Sequence, residues 1–220
     1  FNPALINHGI KFQRIDLKDK PIINADVDNV VTVERGTTLS QNNATVATVE
    51  HLLAAIVGLQ IDNILIQIDG EEIPILDGSS IEFLECLESC EFKDQDAARN
   101  YIEISDKIHY KDDKNNVEIA IYPHNNHRIT CMVDYNSEIL GSQHHTLNKL
   151  SKFKEEISRA RTFCFLHEIE ELFNKNLIKG GDLNNAIVIV DKVLDKIKLD
   201  KISKMMGRKK VEVKKEGILN

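Results

Sequence analysis

The sequence predicts an α+β fold of two similar lobes, each a β-sheet packed with helices. Three observations predict it. Short β-type runs recur along the chain, each half sets its strands first and its helices later, and 220 residues suffice for two separate cores. A charged, turn-prone stretch, EFKDQDAARN, lies between the halves and places the lobes at 1–97 and 98–220. No sequence period relates the halves, so their likeness is one of element order.

In the first half, IINADV and VVTVE are β-type runs between turn residues, and GTTLSQNNA has the composition of a loop. A helix is expected from Thr48 to Gly58: Thr48 can cap it, Glu50 suits its first turn and Gly58 its end. The strand DNILIQID follows, then the turn-rich EEIPILDGSS and a second helix, IEFLECLESC. In the second half YIEIS, NVEIAIYP and RITCMVDY read as strands, KFKEEISRARTF and FLHEIEELFNKN as helices, and NAIVIVD as a further strand. KVLDKIKLDKISKMMGRKK is a lysine-rich amphipathic stretch with Val193, Leu194, Ile197 and Ile202 as its apolar stripe. A solvated helix face is its expected role, with binding of anionic partners the alternative.

With 42% hydrophobic and 29% charged residues, the composition excludes a disordered, collagenous or disulfide-scaffold protein. A formal net charge of −7 argues against nucleic acid as a partner. No apolar run approaches the ~20 residues of a membrane span, and the first residues carry no signal-peptide pattern, so a cytoplasmic location is expected. The cysteines at 86, 90, 131 and 164 are scattered without a CxxC pair and read as buried thiols. The chain starts at Phe1 and stops in an alternating pattern (Val211, Val213), so the sequence is expected to be part of a longer one.

Chemistry concentrates at the start of the 48–58 helix. After Glu50 and His51 it has no charged or polar side chain until its end, so it is expected to be buried nearly all round. Val49, Leu52, Leu53 and Ile56 form one face, and His51 lies with Ala54 and Ala55 on the other. Glu50 and His51 thus sit side by side where helix N–H groups point outward and the dipole is positive. A neutral imidazole there suits a metal, and a neighbouring carboxylate suits proton transfer from metal-bound water. A first-turn Glu also satisfies the helix dipole, and a single His also serves as a hydrogen-bonded core residue; the pair alone leaves both roles open.

The remaining motifs are weaker. His124, His127, His144 and His145 read as surface histidines, and Cys86 and Cys90, one helical turn apart, as small core residues rather than a two-thiolate edge. Thr162 in RARTF could donate a hydroxyl to a developing oxyanion or cap locally. Phe163, Phe165, Leu166, Ile169, Leu172 and Phe173 form an apolar stripe before Gly180-Gly181, suited to a core or to an acyl-chain groove. GxSxG, GxGxxG and the P-loop are absent, which removes the usual support for serine hydrolysis, dinucleotide binding and nucleotide hydrolysis.

Taken together, ATVEHLLAAIVGLQIDN, EEIPILDGSS, ISRARTFCF and KGGDLNNAIVIVD resemble the UDP-3-O-acyl-N-acetylglucosamine deacetylases, the zinc amidases of lipid A biosynthesis. The blocks stand in that family's order and cover most of the chain. The resemblance implies two α+β lobes of the ribosomal S5 domain 2-like kind, with helices sandwiched between the sheets and the active site at the lobe junction. It implies Zn2+ as cofactor and a UDP-linked acylated glucosamine as substrate. By matching position, His51 would be a zinc ligand, Glu50 the general base and Thr162 an oxyanion stabiliser. The segment near 164–191 matches an insert that shapes a passage for the substrate's acyl chain, with Phe163, Phe165, Ile169 and Gly181 as candidate lining residues. The family's other zinc ligands, in an HKxxD motif, and a further catalytic His have no counterpart before Asn220. Some members are fused to a 3-hydroxyacyl-ACP dehydratase, which the resemblance leaves open here.

Overall fold

The computed structural model describes residues 1–168, 184–191, 196–205, 211–214 and 217–219. Over these the chain is α+β, with several small sheets and few helices.

Strands β1 (Asn2–Pro3), β2 (Ile10–Arg14), β3 (Ile22–Asn24), β4 (Val30–Thr32), β5 (Thr38–Gln41) and β6 (Ala44–Val46) precede helix α1 (Glu50–Gly58). Strand β7 (Ile64–Ile68) and helix α2 (Ile81–Glu88) follow it. One sheet has the order β1-β7-β2-β3, with β2 parallel to β7 from Ile10↔Ile64 to Arg14↔Ile68 and the other pairings antiparallel. A parallel pair needs a crossover, and here it contains the antiparallel sheet β4-β5-β6 and α1. Ile64, Ile66 and Ile68 of β7 are buried, whereas Leu65 is half-buried and Gln67 exposed, the period-two pattern of a sheet with one covered face. They meet Phe12, Ile23, Val46, Val49, Leu52, Ile56, Leu84 and Leu87 in the main core, each fully buried side chain contributing about 1.5–3 kcal/mol of transfer free energy.

The GTTLSQNNA stretch, expected as a loop, is a hairpin. Asn42 (φ 53°) and Asn43 (φ 57°) both adopt the left-handed conformation between paired Gln41 and Ala44, as a two-residue type I′ connection requires. Helix α1 starts one residue later than expected. Thr48 does not cap it but stands at φ 57°, its hydroxyl donating to Glu72 Oε1 at 2.9 Å, and Val49 occupies the cap position. Nor is α1 buried all round: Leu52, Ala55 and Ile56 are inside, His51, Leu53 and Ala54 half-buried, and Val57 is 46% exposed.

Beyond α2 come two antiparallel hairpins, β8 (Ile108–Asp112) with β9 (Val117–Ile121) and β10 (Ile129–Asp134) with β11 (Ser142–Leu147). Residues 101–105, expected as a strand, form none, and the run SQHH at 142–145, which carries His144 and His145, lies in β11 with its side chains exposed. The helix expected over 152–163 is one turn, α3 (Phe153–Glu156). It stops because Thr162 N–H donates to Gly78 O and Ser158 O accepts from Ser80 N–H, so tertiary partners take the groups a longer helix would have used.

Strand β12 (Phe163–Phe165) pairs in parallel with β13 (Ile187–Ile189), and helix α4 (Lys196–Met205) follows. Leu166, Val188, Val190, Ile202, Val211 and Leu219 form a second, smaller core. The cysteines differ from expectation: Cys86, Cys90 and Cys131 are exposed and only Cys164 is half-buried. On α2 the buried positions are Ile81, Phe83, Leu84 and Leu87, which leaves Cys86 outward. Among the described residues no helix is long and apolar enough to cross a membrane.

Candidate active site

Two segments fix the first turn of α1. On one side, Thr37 brackets it: its N–H donates to Glu50 Oε2 at 2.9 Å and its carbonyl accepts from Val49 N–H at 3.3 Å. On the other, Ala47 N–H donates to Glu71 O at 2.8 Å and Ile73 N–H to Ala47 O at 3.0 Å. Between these anchors Thr48 is held left-handed, a conformation costing a β-branched residue about 1–2 kcal/mol and sustained only where the surroundings over-determine it. Gly36 lies against the carboxylate: a Cβ there would sit 3.3 Å from Glu50 Oε1, a tight contact.

Glu50 is therefore held by one oxygen and has the other available. Oε1 lies 4.0 Å from His51 Nε2, too far for a hydrogen bond, with the side chains 36% and 17% exposed respectively. Among the described residues His51 makes no hydrogen bond, so its ring nitrogens are uncommitted. No group of three or more His, Cys, Asp or Glu among those residues could hold a metal. His124, His127, His144 and His145 lie on the surface, as expected.

The segment from Glu71 to Ser80 runs from the start of α1 to Thr162. Asp77 Oδ1 accepts both Ser79 N–H (2.9 Å) and Ser79 hydroxyl (2.7 Å) in a tight turn around Gly78, at φ 82°. Gly78 O accepts Thr162 N–H at 2.7 Å, and Thr162 O accepts Ile187 N–H at 3.0 Å. Thr162 thus stands where the turn, β12 and β13 meet. No hydrogen bond joins it directly to Glu50 or His51 among the described residues.

Phe163 and Phe165 project from the same side of β12 as an aromatic row. Phe163 meets Tyr135 edge-on at 5.3 Å and Phe165 at 5.9 Å, and Phe165 stacks on His167 at 5.4 Å. His167 Nδ1 lies 2.9 Å from Asp191 Oδ2, each two residues past the end of its strand in the parallel pair. Cys164 faces the small core. Burial pushes its thiol up, Glu168 adds to that, and Arg35 acts in the opposite sense. Ile169 and Gly181 lie outside the described residues. Thr37, Gly36 and the Asp77–Ser79 turn were missed as parts of the site; only the turn left a sequence signal, the Asp-Gly-Ser run in EEIPILDGSS.

The family model for UDP-3-O-acyl N-acetylglycosamine deacetylase (LpxC) matches residues 1–203. The chain belongs to this family. A bifunctional enzyme LpxC/FabZ of Bacteroides thetaiotaomicron is 42% identical over 220 residues, the whole chain and 48% of that relative. Its counterpart in Chlorobaculum tepidum is 45% identical over 223 residues, again the whole chain and 48% of the relative. A UDP-3-O-acyl-N-acetylglucosamine deacetylase of Teredinibacter turnerae is 40% identical over 190 residues, 85% of this chain and 62% of the relative. The chain therefore spans about half the length of the bifunctional relatives that it matches throughout.

Proposed function

We propose that this chain provides part of a zinc-dependent deacetylase that hydrolyses the N-acetyl group of UDP-3-O-acyl-N-acetylglucosamine in the cytoplasm, releasing acetate and a free amine for lipid A biosynthesis. The observation that carries the proposal is the Glu50–His51 pair, one carboxylate oxygen tied to Thr37 N–H and the other 4.0 Å from an imidazole that makes no hydrogen bond among the described residues. The fold supports it in coarse outline, and we take residues 1–97 and 98–220 as the two lobes of the S5-like arrangement, with the site at their junction.

The donor set fits zinc in part. An uncommitted, largely buried imidazole next to a carboxylate is the chemistry of one ligand and one base, and His51 would hold the metal through a ring nitrogen. Catalytic zinc takes three protein ligands, so the other two come from outside the described residues. When bound, the metal would polarise the amide carbonyl and ease deprotonation of water. Glu50, its direction fixed by Thr37, takes the proton of the attacking water and returns it to the departing nitrogen. Thr162 offers its hydroxyl to the oxygen on which charge develops. Phe163 and Phe165 line the way for the acyl chain; Ile169 and Gly181, which lie outside the described residues, are proposed as lining residues on the sequence resemblance alone.

The test uses protein expressed from its complete reading frame. Glu50→Gln is expected to lower deacetylation about 10²–10⁴-fold with zinc content retained, and His51→Ala to lower zinc content in elemental analysis. Near-normal turnover in the first variant, or unchanged zinc in the second, would refute the corresponding role. The whole-chain match to the bifunctional relatives favours a second reading, in which the same polypeptide also carries a dehydratase. Reading the frame past Asn220 decides it.

A further inference from the structure

Thr162 is held by its main chain on both sides, through Gly78 O and Ile187 N–H. Its side chain leans on the turn as well: its methyl lies 3.0 Å from where a Cβ on Gly78 would be. A β-branched residue is stiff at χ1, so the methyl's seat on Gly78 sets the direction of the hydroxyl. That hydroxyl makes no hydrogen bond among the described residues. Its aim depends on where the turn sits relative to residues 184–187.

The two segments meet unusually closely. A Cβ at Gly78 would lie 2.0 Å from Asn185 O, so only glycine permits the approach. Arg161, next to Thr162, ties the two segments together. Its Nε donates to Asp77 O and its Nη2 to Asn184 O, each at 2.6 Å, one planar fork across both segments. An ammonium has the charge but not the fork.

We propose that Arg161 is a positioning residue for the deacetylation: by clamping the Asp77–Gly78 turn to residues 184–185 it fixes the seat of the Thr162 methyl and so aims the Thr162 hydroxyl at the developing oxyanion. The inference rests on Thr162 having that role. If Arg161 acts through Thr162, its loss matters only while the hydroxyl is present.

The experiment is a double-mutant cycle on protein from the complete reading frame, reading kcat, KM, zinc content and melting temperature. Arg161→Gln is expected to lower kcat about 10²-fold, the cost of misplacing a group in the transition state, with KM and zinc content nearly unchanged. In a Thr162→Ala background the same substitution is expected to change kcat less than about threefold, the non-additivity of residues that act as a unit. Arg161→Lys, which keeps the charge, carries the same cycle should the Gln variant not fold, with a smaller loss of kcat that again vanishes without the hydroxyl. A slow Thr162→Ala enzyme on which the Arg161 substitution inflicts its full separate loss overturns the inference alone, as does wild-type kcat in either Arg161 variant. Full kcat in Thr162→Ala removes the oxyanion role and the inference with it, while the Glu50 and His51 tests stand apart.

Discussion

Ser79 has no exposed surface, and its N–H and hydroxyl both end on one oxygen of Asp77. Burial would by itself push the Asp77 carboxyl up, but the two bonds from Ser79 and the charge of Arg161 outweigh it, and the net direction is down from the ordinary carboxylate value. A carboxyl whose folded pKa lies below its unfolded one gives stability that is complete above the unfolded value and lost as pH falls through the folded one. Asp77 therefore steadies the turn at neutral pH and ceases to do so in acid, below the usual ~3.9. Asp77→Ala is expected to lower stability at neutral pH by about 1–3 kcal/mol, since it leaves buried donors of Ser79 unpaired. Denaturation curves taken from neutral to strongly acid pH should show the gap to the parent narrowing. A gap of constant size would mean that the charge on Asp77 contributes nothing.

At the scale of elements, α1 ends locally, with Gln60 left-handed (φ 56°), its N–H donating to Val57 O and Ile61 N–H to Ile56 O, but the glycine in its last turn answers to a distant contact. A Cβ on Gly58 would lie 2.2 Å from Phe153 Cδ1, so the ring of α3 rests on the bare helix backbone. Gly58→Ala should raise helix propensity by up to about 1 kcal/mol and yet destabilise, because displacing a ring in a packed core costs about 1–3 kcal/mol. Calorimetry should record a lower melting temperature, at roughly 2–4 °C per kcal/mol for a chain of this size, partly restored by Phe153→Leu. An unchanged or higher value would show that the ring yields freely. Local and distant determinants separate what the sequence left legible. Gly58 was readable as a helix end and Glu50–His51 as the start, because local rules govern both. The hairpin at Asn42-Asn43, the strand Ile10–Arg14 with its buried arginine, and the single turn of α3 were not. The aspartate and carbonyl that hold Arg14 lie at 16 and 45, and the partner that halts the helix before Thr162 lies at 78. Glu50's anchor at Thr37 is likewise a backbone N–H, which any residue but proline supplies and no motif can mark.

For the molecule as a whole, the two halves of the chain differ in how their sheets are covered. Before residue 90 the strands face a core that α1 and α2 close. In the β8–β9 hairpin the register pairs Ile108 with Ile121, Tyr110 with Ile119 and Asp112 with Val117, which gathers five apolar side chains on one face. Every one of them is more than 40% exposed. The other face is polar, with His109 Nε2 2.8 Å from Glu118 Oε1. A two-stranded hairpin is marginal in water without a covered face, and exposed apolar patches of this kind bind whatever apolar surface is offered. Among the described residues β8 and β9 pair only with each other, so no further strand extends this small sheet. The 220-residue chain is therefore expected to bind a hydrophobic dye such as ANS and to self-associate as its concentration rises. Replacing Tyr110 and Ile119 with threonine, which keeps β-propensity, should reduce both effects while leaving the melting of the main core unaltered. A chain that stays monomeric at high concentration without dye binding would show that this face is covered from within the same 220 residues.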